Sequence, residues 1–281
     1  MLASAALNGS GSLATLVLRK AGGEGGGGLK FPGIEEMVEW PALDFTKGSP
    51  FAFNKVALIS LIAMAIAVIW FLIAGSKSKS SLVPRGSQNL AELAIEFIEK
   101  QVIGQAIGRD GLVFLPFLLS LFLFIFFGNL FGVVPTSHFG ANARMANPVF
   151  LALLTYVIFI GVGIKHHGLH YFKEKLFPPG VPKALYVLVT PIEFLSNFIV
   201  TPFSLAVRLF ANSLAGHILL VTFSVLTATL WSMSPLVAAA PLSFAMLVAF
   251  TGFELMVAFL QAYIFSLLAA VYIGQSLHPG H

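Results

Sequence analysis

The sequence predicts an all-α, polytopic membrane protein with about five membrane-spanning helices, on the basis of its composition and the distribution of its charges. Of its 281 residues, 57% are hydrophobic and only 10% are charged, whereas soluble domains contain about 25% charged residues. The formal net charge of +4 comes mostly from basic residues between long uncharged stretches. We therefore expect the chain to contact the lipid bilayer and no nucleic acid.

Five stretches are long and apolar enough to cross a hydrocarbon layer of about 30 Å. They lie at about 56–74, 112–134, 148–164, 184–231 and 236–273. The last two are too long for upright single crossings. Each is therefore either a hairpin or one strongly tilted helix, with Pro191, Pro202 and Pro241 as candidate bends.

Basic residues predict the orientation of the spans. The segment between the first two spans contains five lysines and arginines, the next contains only Arg144, and the third contains four lysines. Because basic loops remain on the cytoplasmic side, the first and third loops are predicted to face the cytoplasm or a mitochondrial matrix. The N-terminus is then outside. With five crossings the C-terminus is cytoplasmic, and one hairpin would reverse it.

Two regions outside the spans have distinct compositions. Residues 1–50 contain the run GGEGGGG and are predicted to form an external N-terminal arm, followed by a single transmembrane domain at 51–281. The stretch at about 88–107 places apolar residues at helical spacing on one side, and three glutamates with Lys100 on the other. This pattern predicts an amphipathic helix on the cytoplasmic membrane surface or against a partner.

The fourth span contains Arg208, with no acidic residue within ten positions on either side. An arginine at the centre of a membrane helix costs about 2.5–3.5 kcal/mol on insertion scales, so it must face a polar cavity, a partner or the interface. Ser204 and Asn212 lie one turn to either side, and nearby alanines make this stripe small. The acid that faces Arg208 is therefore expected on another subunit. An arginine that reaches the membrane surface is the structural alternative.

Two further side chains of these spans can exchange protons near neutral pH, namely His217 and Glu254. Glu254 and Gln261 are seven residues apart and share one face of the last span. Together these residues indicate a proton route, although a hydrogen-bonded structural histidine also explains His217. Glu193 lies near the cytoplasmic end of its span, where it marks either a second aqueous pocket or an interfacial carboxylate.

Several motifs resemble those of a known family. PFSLAVRLFANSLAGHILL at 202–220 and FELMVAFLQAYIFSLLAAVYI at 253–273, with the earlier stretches VPRGSQNLAELAIEFI and FGNLFGVVP, are similar to subunit a of the F-type rotary ATP synthase. The resemblance covers about residues 50–275. It implies that the last two segments are paired, steeply tilted helices that curve along a ring of c subunits.

The resemblance also implies a role for each candidate residue. Arg208 matches the stator arginine that faces the carboxylates of the rotating c-ring. Positions around the half-channel that opens to the outer side match Asn212, His217, Glu254 and Gln261. Ser204 and Glu193 match positions toward the cytoplasmic half-channel, and Asn129 matches an asparagine near the outer opening.

The chain is one of two variants of this pattern. Family members carry an acid at position 217 with histidine at position 254, or the reverse, and this chain has the reverse arrangement. The acid that some members carry just after Asn129 is replaced by Gly132 here. Proton entry is therefore expected to rely on water, His138 or Glu254.

The resemblance further implies that the chain is not catalytic on its own. Its implied partners are the c-ring, the peripheral-stalk subunit b, other ATP synthase subunits and protons. We expect no cofactor and no metal, since the sequence has no cysteine and no glycine-rich phosphate-binding loop. The expected location is a bacterial plasma membrane, with the mitochondrial inner membrane as the alternative. A secondary transporter, an ion channel and a structural anchor are the competing functions.

Overall fold

The computed structural model describes residues 55–78, 86–133, 142, 145–168, 170–177, 185–232 and 234–277. Apart from short turns, this described part is helical, and five of its helices are long and apolar enough to cross a membrane. The predicted fold class is therefore confirmed. The predicted arm at 1–50 and His138 lie outside the described residues, and the division into arm and transmembrane domain stays a prediction.

The helices follow one another in an order that agrees with the predicted spans. They are α1 (Lys55–Ser78), α2 (Ser87–Phe97), α3 (Leu115–Val133), α4 (Ala146–His167), α5 (His170–Leu176), α6 (Tyr186–Leu195), α7 (Thr201–Ser232) and α8 (Ala240–Leu277). Shorter segments join several of them: Ile98–Ile103 and Ser196–Val200 are π-helical, Arg109–Phe114 and Ser234–Ala239 are 3₁₀-helical, and Gly104–Ala106 is a short α-helical segment.

The two long C-terminal segments are single helical paths and not hairpins. They extend over Tyr186–Trp231 and Val237–Leu277, which are 46 and 41 residues long. At 1.5 Å per residue each is about 60–70 Å long, roughly twice the hydrocarbon thickness. Both must therefore tilt strongly or extend beyond the hydrocarbon layer.

The fourth span changes its helical register at the π-helical turn between α6 and α7. Pro202 follows this turn directly, and proline cannot donate a backbone hydrogen bond. A wider turn before the proline accommodates the missing bond, and Thr201 Oγ1 donates to the carbonyl of Ser196 (2.9 Å). Pro191 lies inside α6. Pro241 lies in the first turn of α8, where no intrahelical donor is lost.

Helix α8 is the centre of the described bundle and packs against α3, α4 and α7. Many of its buried positions are small residues: Ala258, Ala262, Ser266, Ala269, Ala270 and Gly274. Small residues let helix backbones approach closely, which is a main source of helix association in lipid. At Gly274 the approach is so close that a Cβ atom would lie 2.6 Å from the carbonyl oxygen of Ala106.

The amphipathic segment is also present, but its apolar face is only partly buried. Its glutamates and Lys100 are exposed as predicted, and Ile98 and Val102 are fully buried against the core. Leu90 and Leu93 remain 57% and 60% exposed. They line an open apolar cavity together with residues of α1, α3 and α8.

Candidate functional site

Seven of the eight predicted site residues lie on the last two spans. Glu193 is on α6, Ser204, Arg208, Asn212 and His217 are on α7, and Glu254 and Gln261 are on α8. Helices α7 and α8 pack against each other along their length. The eighth residue, Asn129, is near the C-terminal end of α3.

Arg208 is exposed on the surface of the bundle. Leu205 and Leu209, three residues before Arg208 and one after it, are 4% and 0% exposed and fix α7 against the core. In the described part of the chain, no carboxylate and no hydrogen-bond acceptor reaches the guanidinium of Arg208. Ser204, one turn earlier, is half-buried.

One turn beyond Arg208, a pair of amides connects the two long spans. Asn212 Nδ2 donates to Gln261 Oε1 (2.6 Å), and Gln261 is 2% exposed. Gln261 Nε2 is buried and has no hydrogen-bond partner among the described residues. A buried donor without a partner is costly, so this atom is a position at which water or an incoming polar group is stabilised.

Glu254 packs against α7 at Gly216. A Cβ atom at position 216 would overlap the carboxylate of Glu254, which would then have to move. The next residue, His217, is 5% exposed. The structure therefore brings Glu254 to the same turn of α7 as His217. Gly216 was not among the predicted site residues, although the small residues around Arg208 predicted close helix packing.

A second polar cluster surrounds Glu193. Its Oε2 accepts a hydrogen bond from Asn197 Nδ2 (2.8 Å), one turn along the chain. Lys175 of α5 interacts electrostatically with the same carboxylate. Burial lowers the pKa of Lys175, and the nearby Glu193 partly opposes this shift.

The Glu193 cluster contains two residues that sequence analysis missed. Asn197 could have been found from its spacing of four from Glu193, whereas Lys175 counted only as a basic loop residue. Lys175 Nζ lies 5.9 Å from the centre of the Tyr171 ring. A cavity of about 10 Å³ between Tyr171, Lys175 and Asn197 has about the size of one water site.

Asn129 has a partner from the segment that follows α3. Asn129 Oδ1 accepts a hydrogen bond from Asn142 Nδ2 (2.8 Å). Asn142 is fully buried, and its Oδ1 has no partner among the described residues. The structure does not pair Asn129 with a residue of α7 or α8. Asn142 was missed because nothing in the sequence distinguishes it from other loop asparagines.

The two acidic clusters are on opposite sides of Arg208 along the helix. Glu193 precedes Arg208 by 15 residues, about 22 Å of helix, and Gly216 follows it by eight residues, about 12 Å. An exposed fixed cation therefore lies between two separate polar regions. Among the described residues, no three histidine, aspartate or glutamate side chains could together hold a metal ion.

Comparison with known proteins supports the resemblance seen in the motifs. The family model described as "ATP synthase A chain" matches residues 57–274. The chain is 42% identical over 252 residues to "ATP synthase subunit a" of Rhodococcus erythropolis, covering 88% of this chain and 90% of that protein. It is 40% identical to "ATP synthase subunit a" of Agrobacterium fabrum, covering 83% and 92%, and 40% identical to that of Frankia alni, covering 81% and 78%. The chain therefore belongs to the ATP synthase A chain family.

Proposed function

We propose that the chain carries protons through two half-channels that open to opposite sides of the membrane and are separated by Arg208. Family membership makes the chain the proton-conducting stator subunit of the ATP synthase membrane sector, and not its catalytic subunit. The finer proposal rests on one observation above all: in the described part of the chain, the exposed guanidinium of Arg208 has no acidic partner.

The outer half-channel is assigned to the region between Arg208 and the C-terminal end of α7. Glu254 and His217 supply the exchangeable protons there. The amides of Asn212 and Gln261 do not titrate, but they can orient water between these residues and Arg208. Asn129 and Asn142 belong to the entrance in this proposal, because they place polar groups at the end of α3 that is predicted to be outside.

The cytoplasmic half-channel is assigned to the opposite end of the same span. Glu193 can accept a proton there, and Asn197 and Lys175 hold its carboxylate by a hydrogen bond and a charge. Ser204 lies between this cluster and Arg208. The two routes do not meet except through the surface on which Arg208 is exposed.

Arg208 controls the exchange by charge and not by proton transfer. A carboxylate of the c-ring must be neutral while it faces lipid, because a bare charge there is costly. Next to Arg208 the same carboxylate can ionise and release its proton. The guanidinium does not lose its own proton, so it blocks a direct leak between the half-channels. Each charge that crosses the membrane supplies about 2.3 kcal/mol per 100 mV.

Family membership gives the general partners and location of the chain, and the specific partners and membrane are proposed here. As a family member, the chain associates with other subunits of the ATP synthase and is a multi-pass membrane protein. We propose that the c-ring contacts the exposed face around Arg208. The peripheral-stalk subunit b is a further partner in the same complex. The bacterial relatives support a bacterial plasma membrane as the location.

The proposal is tested by Arg208→Ala in the assembled complex, with Lys173→Ala as a control for the loss of an exposed cation. We expect Arg208→Ala to abolish proton-driven ATP synthesis in proteoliposomes, while the complex still assembles with its ring. Lys173→Ala should retain synthesis, since Lys173 is exposed and outside both clusters. Substantial coupled synthesis by Arg208→Ala would overturn the proposal and favour a structural anchor.

A further inference from the structure

A cavity separate from the proton route opens where three spans end together. Its volume is about 680 Å³, and it lies between the segment before α3, the last turns of α4 and the end of α8. None of the eight predicted site residues lines it. According to the predicted orientation, this end of the bundle faces the cytoplasm.

The mouth of the cavity is basic. Arg109, Lys165 and His166 line it and are exposed. Asp110 also lines the cavity and offsets one of the positive charges of Arg109 and Lys165. The lining therefore has a formal charge of +1, and it favours an anion.

The wall of the cavity is apolar. On both helices, its apolar residues lie deeper in the membrane than the basic residues of the mouth. Val113 lies one turn after Arg109, in the direction that leads into the membrane, and it is 82% exposed. On α4, Val162 lies about one turn before Lys165, again on the membrane side. Both helices thus place positive charge at the surface and valine one turn deeper. This gradient matches a phospholipid, whose phosphate lies at the surface above its acyl chains.

Contacts between the helix ends preform the cavity. His167 Nε2 donates to the carbonyl oxygen of Leu277 (3.0 Å), which connects α4 with α8. The hydroxyls of Tyr171 and Ser276 are hydrogen-bonded at 2.9 Å. Gly163 lies so close to the Tyr171 ring that a Cβ atom there would be 2.5 Å from it. The walls are therefore held in place by the protein itself, and a ligand need not order them.

We propose that this cavity binds an anionic phospholipid of the cytoplasmic leaflet. Arg109 and Lys165 contact the phosphate, and an acyl chain lies along Val113 and Val162. A free phosphate would use the basic mouth but would gain nothing from the apolar wall. The proposal is independent of the proton route, because it uses none of the same residues.

The test uses the whole ATP synthase complex in nanodiscs that contain phosphatidylcholine and a phosphatidylglycerol with a photoreactive acyl chain. Cross-linked peptides are identified by mass spectrometry for the unmodified complex, Lys165→Gln and Arg109→Gln. Lys173→Gln is the matched control, since it removes an exposed cation outside the cavity. We expect cross-links at the peptides that contain Val113 and Val162. Each of the two cavity variants should reduce them about fivefold, and the control should not.

A second arm distinguishes lipid from free phosphate. The rate at which an amine reagent modifies Lys165 is measured in phosphatidylcholine nanodiscs, with added phosphatidylglycerol or with added inorganic phosphate. Protection by phosphatidylglycerol alone supports the proposal. Equal protection by inorganic phosphate would overturn the lipid assignment. The proposal would likewise be overturned if Lys173→Gln reduced cross-linking as much as Lys165→Gln, because general attraction to the leaflet would then explain the signal.

Discussion

The two acidic residues of the proposed half-channels are held in different ways. Glu254 packs against the backbone of another span at Gly216, next to the buried His217. Glu193 is held within its own span by Asn197 and interacts electrostatically with Lys175. The outer acid therefore depends on close helix packing, whereas the inner acid depends on local hydrogen bonding and charge. Helix packing determines where the carboxylate lies, whereas a nearby charge determines how readily the carboxylate ionises.

Among the variants that test this difference, removal of the outer acid should reduce proton pumping the most. Glu254→Gln keeps the size of the side chain but cannot exchange a proton, so we expect ATP-driven proton pumping to fall by about 10²-fold or more. Exchanging the two residues, as His217→Glu with Glu254→His, should restore part of the loss. Pumping is measured by dye quenching in proteoliposomes. If the exchanged variant is no better than Glu254→Gln, the two residues do not act as a pair.

Disturbing the packing should have a smaller effect. Gly216→Ala introduces a Cβ atom that overlaps the carboxylate of Glu254, which must then move. Overpacking costs about 1–3 kcal/mol, and we expect proton pumping to fall about tenfold. Gly252→Ala is the matched control, because its Cβ atom would meet nothing within 4 Å. Equal pumping by Gly216→Ala and the unmodified complex would show that the position of Glu254 is not set by this contact.

The inner acid can be tested by its effect on Lys175. Burial lowers the pKa of Lys175, and Glu193 opposes that shift. Glu193→Gln removes the opposing charge, so the pKa of Lys175 should fall further. Reductive methylation requires the neutral amine, and its pH profile at Lys175 should therefore move to lower pH in the variant. An unchanged profile, or a shift to higher pH, would show that Glu193 does not act on Lys175.

The sequence predicted the spans well, because uncharged length is sufficient to recognise a membrane helix. Length alone allowed the two long segments to be hairpins, the family resemblance implied single tilted helices, and the structure has single helical paths. The sequence also predicted an apolar face of α2 that meets the membrane surface or a partner, and the structure leaves Leu90 and Leu93 on that face exposed. Periodicity shows which residues share a face but not what that face contacts.

For the site, the sequence identified residues whose chemistry is unusual in a membrane. Arg208, Glu254 and His217 could be found because charged and titratable groups are rare there. Gly216 and Lys175 could not, since a glycine and a loop lysine acquire meaning only from the neighbour that folding brings to them.

The central claim is that the exposed face around Arg208 is the surface past which the acids of the c-ring move. The chain contains no cysteine, so single cysteines can be introduced at Ala211 and Ala215, which are exposed on α7. Each is paired with a cysteine one turn from the c-subunit carboxylate, and disulfide formation is measured in the assembled complex. We expect cross-links at both positions and none from Phe150→Cys on α4, which is 63% exposed. Cross-linking from Phe150→Cys, with none from the two α7 positions, would contradict the account.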